Sequence, residues 1–312
     1  MPTLLDKRLI FVTGKGGVGK STIAAALGIL SARRGSRTMI AELSGQQRVQ
    51  RLFNRYGPGF EEIQLAPGLF TISIDPEHAM DEYLQVKVGL LGHALAASSL
   101  FQTFAMATPG MRELLSIGKV WELAQLHRRT DGATPFDLVI VDAPATGHGV
   151  GLLRTPRTFA DIARVGPIAH QGRTIAETIA DRRFTGVVAV ATPEEMPVNE
   201  TLSLCDALER EELAVDLIVL NALYPVRFDQ AETEQLAEAL DRTRSPLSRS
   251  ALRAALAEQA RAQTQREQEA RLRAGVNGRL VELPYVFADQ LGPSEIEKLA
   301  DSLGAAIGGR RR

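Results

Sequence analysis

Residues 14–22, Gly-Lys-Gly-Gly-Val-Gly-Lys-Ser-Thr, follow directly on the apolar run Leu9-Ile10-Phe11-Val12. Gly14, Gly19, Lys20 and Ser21 stand at the G-x-x-x-x-G-K-[ST] spacing of a phosphate-binding loop. Each residue type answers a physical need. Gly14, Gly16, Gly17 and Gly19 let the backbone turn tightly and aim its N–H groups inward at an anion. A helix starting near Lys20 brings the positive end of its dipole to the same point. Lys20 can reach the β- and γ-phosphates of a nucleotide, and the Ser21 hydroxyl can ligand Mg2+. Val18 and Thr22 complete the loop. Lys15 is a further cation that an ordinary loop of this kind does not need.

A second candidate lies at 137–142, where Leu138-Val139-Ile140-Val141 reads as a buried strand ending in Asp142. A carboxylate at the C-terminal end of a parallel strand sits where open α/β sheets bind ligands, and Asp142 is expected to hold the Mg2+ shell together with Ser21. The stretch Ala143-Pro144-Ala145-Thr146-Gly147-His148-Gly149 reads as a loop. Thr146 and Gly147 are expected to sense the γ-phosphate, ordering when it is bound. The five histidines are scattered, no spacing suggests a metal cluster, and no Ser-His-Asp or Cys-His arrangement emerges. The single cysteine, Cys205, reads as a packed thiol and excludes disulfide frameworks and C-x-x-C zinc sites.

The elements that must position these residues are legible as short β-branched runs alternating with helical patterns, the signature of a parallel sheet covered on both faces. Candidate strands are 8–13, 37–42, 69–74, 137–142, 186–191, 215–221 and 279–283. The expected fold is therefore α/β, a doubly wound, mostly parallel sheet of about seven strands. Helix one spans about 20–34 and stops near Gly35, and residues 57–68, with Pro58, Gly59, Pro67 and Gly68, read as a loop. The expected organisation is a single P-loop domain over 1–312, with a helical subdomain at 77–130 inserted in it. Residues 229–275 read as charged, solvated helix at the domain edge. Ile296, Leu299, Leu303 and Ile307 have helical spacing and are expected to dock on the sheet. With 36 basic and 37 acidic residues, no net field draws the chain to nucleic acid. No apolar stretch approaches a membrane span, so the expected location is cytoplasmic, without stable membrane insertion.

Lys15 makes the loop resemble the deviant Walker A of the MinD, ParA, nitrogenase iron protein and ArsA group. In that group the extra lysine crosses a dimer interface to the partner's nucleotide, which implies a dimer closing over two ATP molecules. The run Asp142-Ala143-Pro144-Ala145-Thr146-Gly147-His148 is similar to the switch of the ArsA family. Ile74-Asp75-Pro76, Pro109-Gly110-Met111, Thr192-Pro193-Glu194 and Leu283-Pro284 extend the resemblance over about residues 8–305. The likeness is nearest to bacterial ArsA-like ATPases, some of which are made as paralogous pairs. It implies an ATPase with ATP and Mg2+ as cofactors, Lys15, Lys20 and Asp142 as catalytic groups, and Gly14 to Thr22 around the triphosphate. It also implies that Asn221 reads the adenine edge, with Pro284 and Tyr285 in a second adenine-side loop.

The departures from that family bear on function. Its water-positioning aspartate falls here on Ser44, which cannot act as a carboxylate base. Gln46 or Gln47 can orient water instead, and Glu42 lies two residues before Ser44. Slow hydrolysis is therefore expected. One cysteine cannot supply the thiols of an arsenite site, a zinc pair or an iron–sulfur cluster. The apolar stretch at 90–121 is either packed core or a groove for a hydrophobic protein client. Three functions remain open: a nucleotide-driven dimer switch acting on a client or partner, a non-catalytic ATP-binding partner in a heterodimer with a paralogue, and an arsenite or anion pump subunit.

Overall fold

The computed structural model describes residues 3–43, 47–88, 107–128, 133–163 and 167–308. Ser44, Gln46 and residues 89–106 of the apolar insertion lie outside that set. Eight strands form one sheet: β1 (Leu9–Gly14), β2 (Thr38–Glu42), β3 (Ile63–Ala66), β4 (Leu69–Ser73), β5 (Leu138–Asp142), β6 (Thr185–Ala191), β7 (Leu217–Leu223) and β8 (Leu280–Pro284). Their order is β3-β4-β2-β5-β1-β6-β7-β8. All neighbours are parallel except β3 and β4. Every residue of β1, β2, β5 and β6 is buried, as expected for parallel strands covered on both sides.

Side-chain alternation splits β1 between two cores. Ile10 and Val12 pack with α1 (Lys20–Arg33) and the C-terminal helix. Leu9 and Phe11 pack with the helices of the opposite face. Those include α4 (Met111–Leu123), α5 (Thr146–Ala163), α6 (Pro167–Ala180) and α7 (Glu195–Arg210). Two short or peripheral helices, α2 (Arg48–Leu52) and α3 (Pro76–Val88), follow β2 and β4. The chain winds from β1 outward to β2, then crosses back from β5 to β6, so its direction reverses at β1, and the C-terminal strand ends at such a reversal are where open α/β sheets take ligands.

The structure amends the sequence reading at three places. The sheet has an eighth strand, because part of the expected loop at 57–68 is β3. Gly68, in the left-handed region at φ 75°, closes a tight turn after Pro67, and Ala66 comes to face Leu69. The proline and glycine that read as loop are the hairpin turn itself. Strand β7 runs past Asn221 to Leu223, with Ala222 at φ 65° and a register irregularity against β8. The stretch after Asp142 is irregular only to Ala145, and α5 begins at Thr146.

The charged stretch at 229–275 forms two helices, α8 (Gln230–Arg242) and α9 (Pro246–Gly275), started by side-chain caps from Asp229 and Ser245. No residue of α8 is buried, and α9 buries only Ala262, Gln265 and Leu272. The last helix, α10 (Pro293–Gly308), buries Ile296, Leu299, Ala300 and Leu303 against α1 and β8, which fits the docking expected of it. No helix among the described residues is long and apolar enough to cross a membrane. Cutting Leu303 to Ala should lower the unfolding free energy by about 2–5 kcal/mol through lost burial and the cavity left behind. Urea denaturation checks this, and an unchanged midpoint would mean that α10 is not part of the core.

Candidate nucleotide site

The phosphate-binding loop joins β1 to α1, and its glycines are required by the space around them. Gly14 has φ 149°, and a Cβ there would run into the Val190 carbonyl of the neighbouring strand β6. Gly19 has φ 95° at the start of α1, and a Cβ there would meet the Asn221 amide. That amide donates from Nδ2 to the Val18 carbonyl at 3.0 Å, so Asn221 braces the loop from the end of the sheet.

Adjacent strands bring the loop to the carboxylate. Val12 of β1 is in register with Asp142 of β5, and the Ser21 hydroxyl donates to Asp142 Oδ2 at 2.5 Å across 121 residues of sequence. Lys20 is buried, and its Nζ donates to the Lys15 carbonyl at 2.9 Å. Burial shapes the charges. It lowers the Lys20 pKa, a shift opposed by Asp142 and reinforced by the like charge of Arg48. It raises the Asp142 pKa, against the Ser21 hydrogen bond and the positive charges of Lys20 and Arg48.

A second carboxyl belongs to this group, and sequence reasoning noted it only as a neighbour of Ser44. Glu42 ends β2 opposite Asp142 in the parallel register and is fully buried. Its Oε1 accepts from the backbone N–H of Arg48 at 2.7 Å and of Val49 at 3.2 Å. It thereby ties the start of α2 to the sheet. Its Oε2 has no partner among the described residues. Burial first, and Asp142 in addition, push its pKa to about 7 against the opposing pull of the Val49 and Arg48 amides and of Arg51. The signal in the sequence was available: an apolar strand, Met39-Ile40-Ala41, closed by a carboxylate, as Asp142 closes β5.

The other expected residues fall around this centre. Lys15 Nζ lies 2.9 Å from Glu200 Oε1 on α7, both side chains partly exposed. Gln47 starts α2 in the left-handed region, at φ 49°. The side chains of 146–150, on which the phosphate-sensing reading of Thr146 falls, lie outside the described residues. Pro284 ends β8, and the Tyr285 N–H donates to the Leu223 carbonyl at 2.8 Å. Tyr285 packs against Tyr224 and Phe287 at ring-centre distances of 4.7 and 4.9 Å. Asn221 lies in β7 and Tyr285 directly follows its neighbour β8, whereas Cys205 is a half-buried thiol packed on the core with its pKa raised to about 11 by burial.

A family model described as anion-transporting ATPase, ArsA_ATPase, matches residues 7–165 and 162–244. The chain belongs to the ArsA ATPase family. It is 30% identical over 239 residues to the ATPase BagA of Mycobacterium tuberculosis, covering 74% of this chain and 69% of that protein. It is 27% identical over 235 residues to an arsenical pump-driving ATPase of Escherichia coli, but spans only 39% of it. A putative arsenical pump-driving ATPase of Halobacterium salinarum is 27% identical over 239 residues, with 36% of its length spanned.

The donors of this ArsA-family site fit a small hard cation. Ser21 and Asp142 present adjacent oxygens at the loop, the ligand type Mg2+ takes alongside phosphate oxygens and water. The Glu42 carboxyl gives a pH test. Its pKa is raised from 4.5 in the free side chain to about 7 in the fold. The folded state binds that proton more tightly than the unfolded chain. The stability it contributes is complete below about pH 4.5 and is lost as pH rises through about 7, a change on the order of 3 kcal/mol. Glu42→Gln keeps an acceptor for the α2 amides and removes the proton. Urea midpoints in chelator from about pH 5 to 8 should fall more steeply for the parent than for this variant. Parallel curves would show that the carboxyl does not titrate in this range.

Proposed function

We propose that this ArsA-family ATPase binds ATP with Mg2+ in the loop Gly14–Thr22, hydrolyses it slowly, and uses the nucleotide state to close a dimer that acts on a protein client or partner. The observation that carries the nucleotide reading is the joining of Ser21 to Asp142 beside the buried ammonium of Lys20. Loop amides and Lys20 would hold the β- and γ-phosphates, and Lys20 would exchange its bond to the Lys15 carbonyl for a phosphate oxygen. Ser21 and Asp142 would hold Mg2+, which when bound supplies charge neutralisation for the leaving phosphates. Asn221 would keep the loop in shape through Val18 while its side of the site, with Pro284 and Tyr285, takes the adenine.

Lys15 would leave Glu200 and cross to the partner's nucleotide. The partner is a second copy or an ArsA-like paralogue. Slow turnover follows from Ser44, since a serine cannot hold the attacking water as a carboxylate does. That same residue favours a second reading, in which this chain is the non-catalytic, ATP-binding member of a heterodimer. A pump for arsenite, suggested by the names of two relatives, is disfavoured by chemistry. The chain has one cysteine, and its thiol stays protonated at neutral pH. The hydrophobic client rests on the composition of 90–121 alone. The proposed seat is the cytoplasm.

Calorimetry of the wild type with ATP in magnesium buffer tests the nucleotide reading, and no uptake would overturn it. Lys20→Ala should weaken ATP binding by about 10- to 100-fold, the worth of a charge-assisted hydrogen bond to phosphate. Lys15→Ala should retain binding yet lose ATP-dependent dimer closure and turnover, read by sizing chromatography and phosphate release. Closure and turnover that both survive would remove the trans role. Single-turnover rates alone and with a paralogue separate the slow enzyme from the non-catalytic partner.

A further inference from the structure

Arg48 is a cation for which the fold itself has no evident use. It is the first residue of α2, exposed, and its guanidinium makes no hydrogen bond or ion pair among the described residues. The backbone beneath it is fixed. Its N–H is held at 2.7 Å by Glu42 Oε1, and Glu42 stands across the β2–β5 register from Asp142. A buried carboxyl therefore ties this residue to the strand end beside the Mg2+-directed oxygens. Its charge acts on both halves of the site, adding to the lowering of the Lys20 pKa that burial begins and opposing the burial-driven rise at Asp142.

Lys20 and Arg48 repel one another, a cost that Asp142 offsets and that a bound anion would offset further. Lys20 lies on the loop side of the strand ends, and Arg48 begins α2, whose start Glu42 holds beside Asp142. A long, forked, always-charged side chain without a partner among the described residues suits a phosphate oxygen better than a point charge does. We propose that Arg48 is a phosphate-contacting residue of this site, directed at the terminal phosphate of the bound nucleotide, so that it favours the triphosphate over the diphosphate. It would supply from α2 a positive charge that Lys20 and the loop amides do not extend to that side. This assignment rests on the nucleotide reading above and specifies which part of the ligand α2 reads.

The test compares ATP and ADP, each with Mg2+, by calorimetry on wild type, Arg48→Ala and Arg48→Lys, with single-turnover hydrolysis and melting temperature alongside. The expected result is ATP affinity lower by about 10-fold or more in Arg48→Ala, ADP affinity within about twofold of wild type, and partial recovery in Arg48→Lys. The melting temperature without nucleotide should stay unchanged, because the guanidinium has no partner among the described residues to lose. Equal weakening of ATP and ADP, or no weakening of either, overturns the assignment. So does a fall in melting temperature that accounts for the lost affinity. Wild-type protein that binds neither nucleotide would instead overturn the nucleotide reading, and the role of Arg48 with it.

Discussion

The arrangement depends on how charge is held where water is scarce. Asp142 and Glu42 end adjacent parallel strands, in register and buried, and two carboxylates so placed cannot both ionise cheaply. The fold answers them differently. Asp142 takes the Ser21 hydroxyl and the nearby charge of Lys20. Glu42 takes two backbone amides of α2 and holds its proton to about pH 7. One carboxyl is left suited to a cation, while the other serves as a structural hook.

That division of labour follows from the sheet. Parallel strands deliver their C-terminal residues to one edge, and the winding reverses at β1, the point at which open α/β sheets take ligands. Residues far apart in sequence, Ser21 and Asp142 or Val18 and Asn221, become hydrogen-bonded because their strands are neighbours or nearly so. Glycine at 14 and 19 is demanded by those same neighbours. The Val190 carbonyl and the Asn221 amide occupy the space a side chain would need. The loop and its surroundings thus constrain each other.

The main chemistry was readable in residue order. The glycine-lysine-serine spacing, the strand-ending Asp142 and the alternation of apolar runs with helices correctly indicated an α/β sheet with the loop at its edge. Misreadings arose where one residue type serves two structures. Pro67 and Gly68 mark both a loop and a hairpin turn, so β3 was missed. Asn221 reads as a strand end, but the strand continues through a bulge to Leu223, and the amide nitrogen grips the loop. The trans role expected of Lys15 is not a misreading of this kind, since it belongs to a dimer; within one protomer the side chain pairs with Glu200.

Local information therefore determined the class of ligand, because phosphate cradles are built from contiguous residues whose backbone conformations and charges are set by their own types. It also determined the sheet, because burial on both faces imposes uninterrupted apolar runs. The tertiary structure alone decided which carboxyl stands beside Ser21, that Glu42 anchors α2, and that Arg48 begins that helix without a side-chain partner among the described residues. Those outcomes depend on strand order and register, which bring together side chains with no relation along the chain, and on burial, which sets what each charge costs.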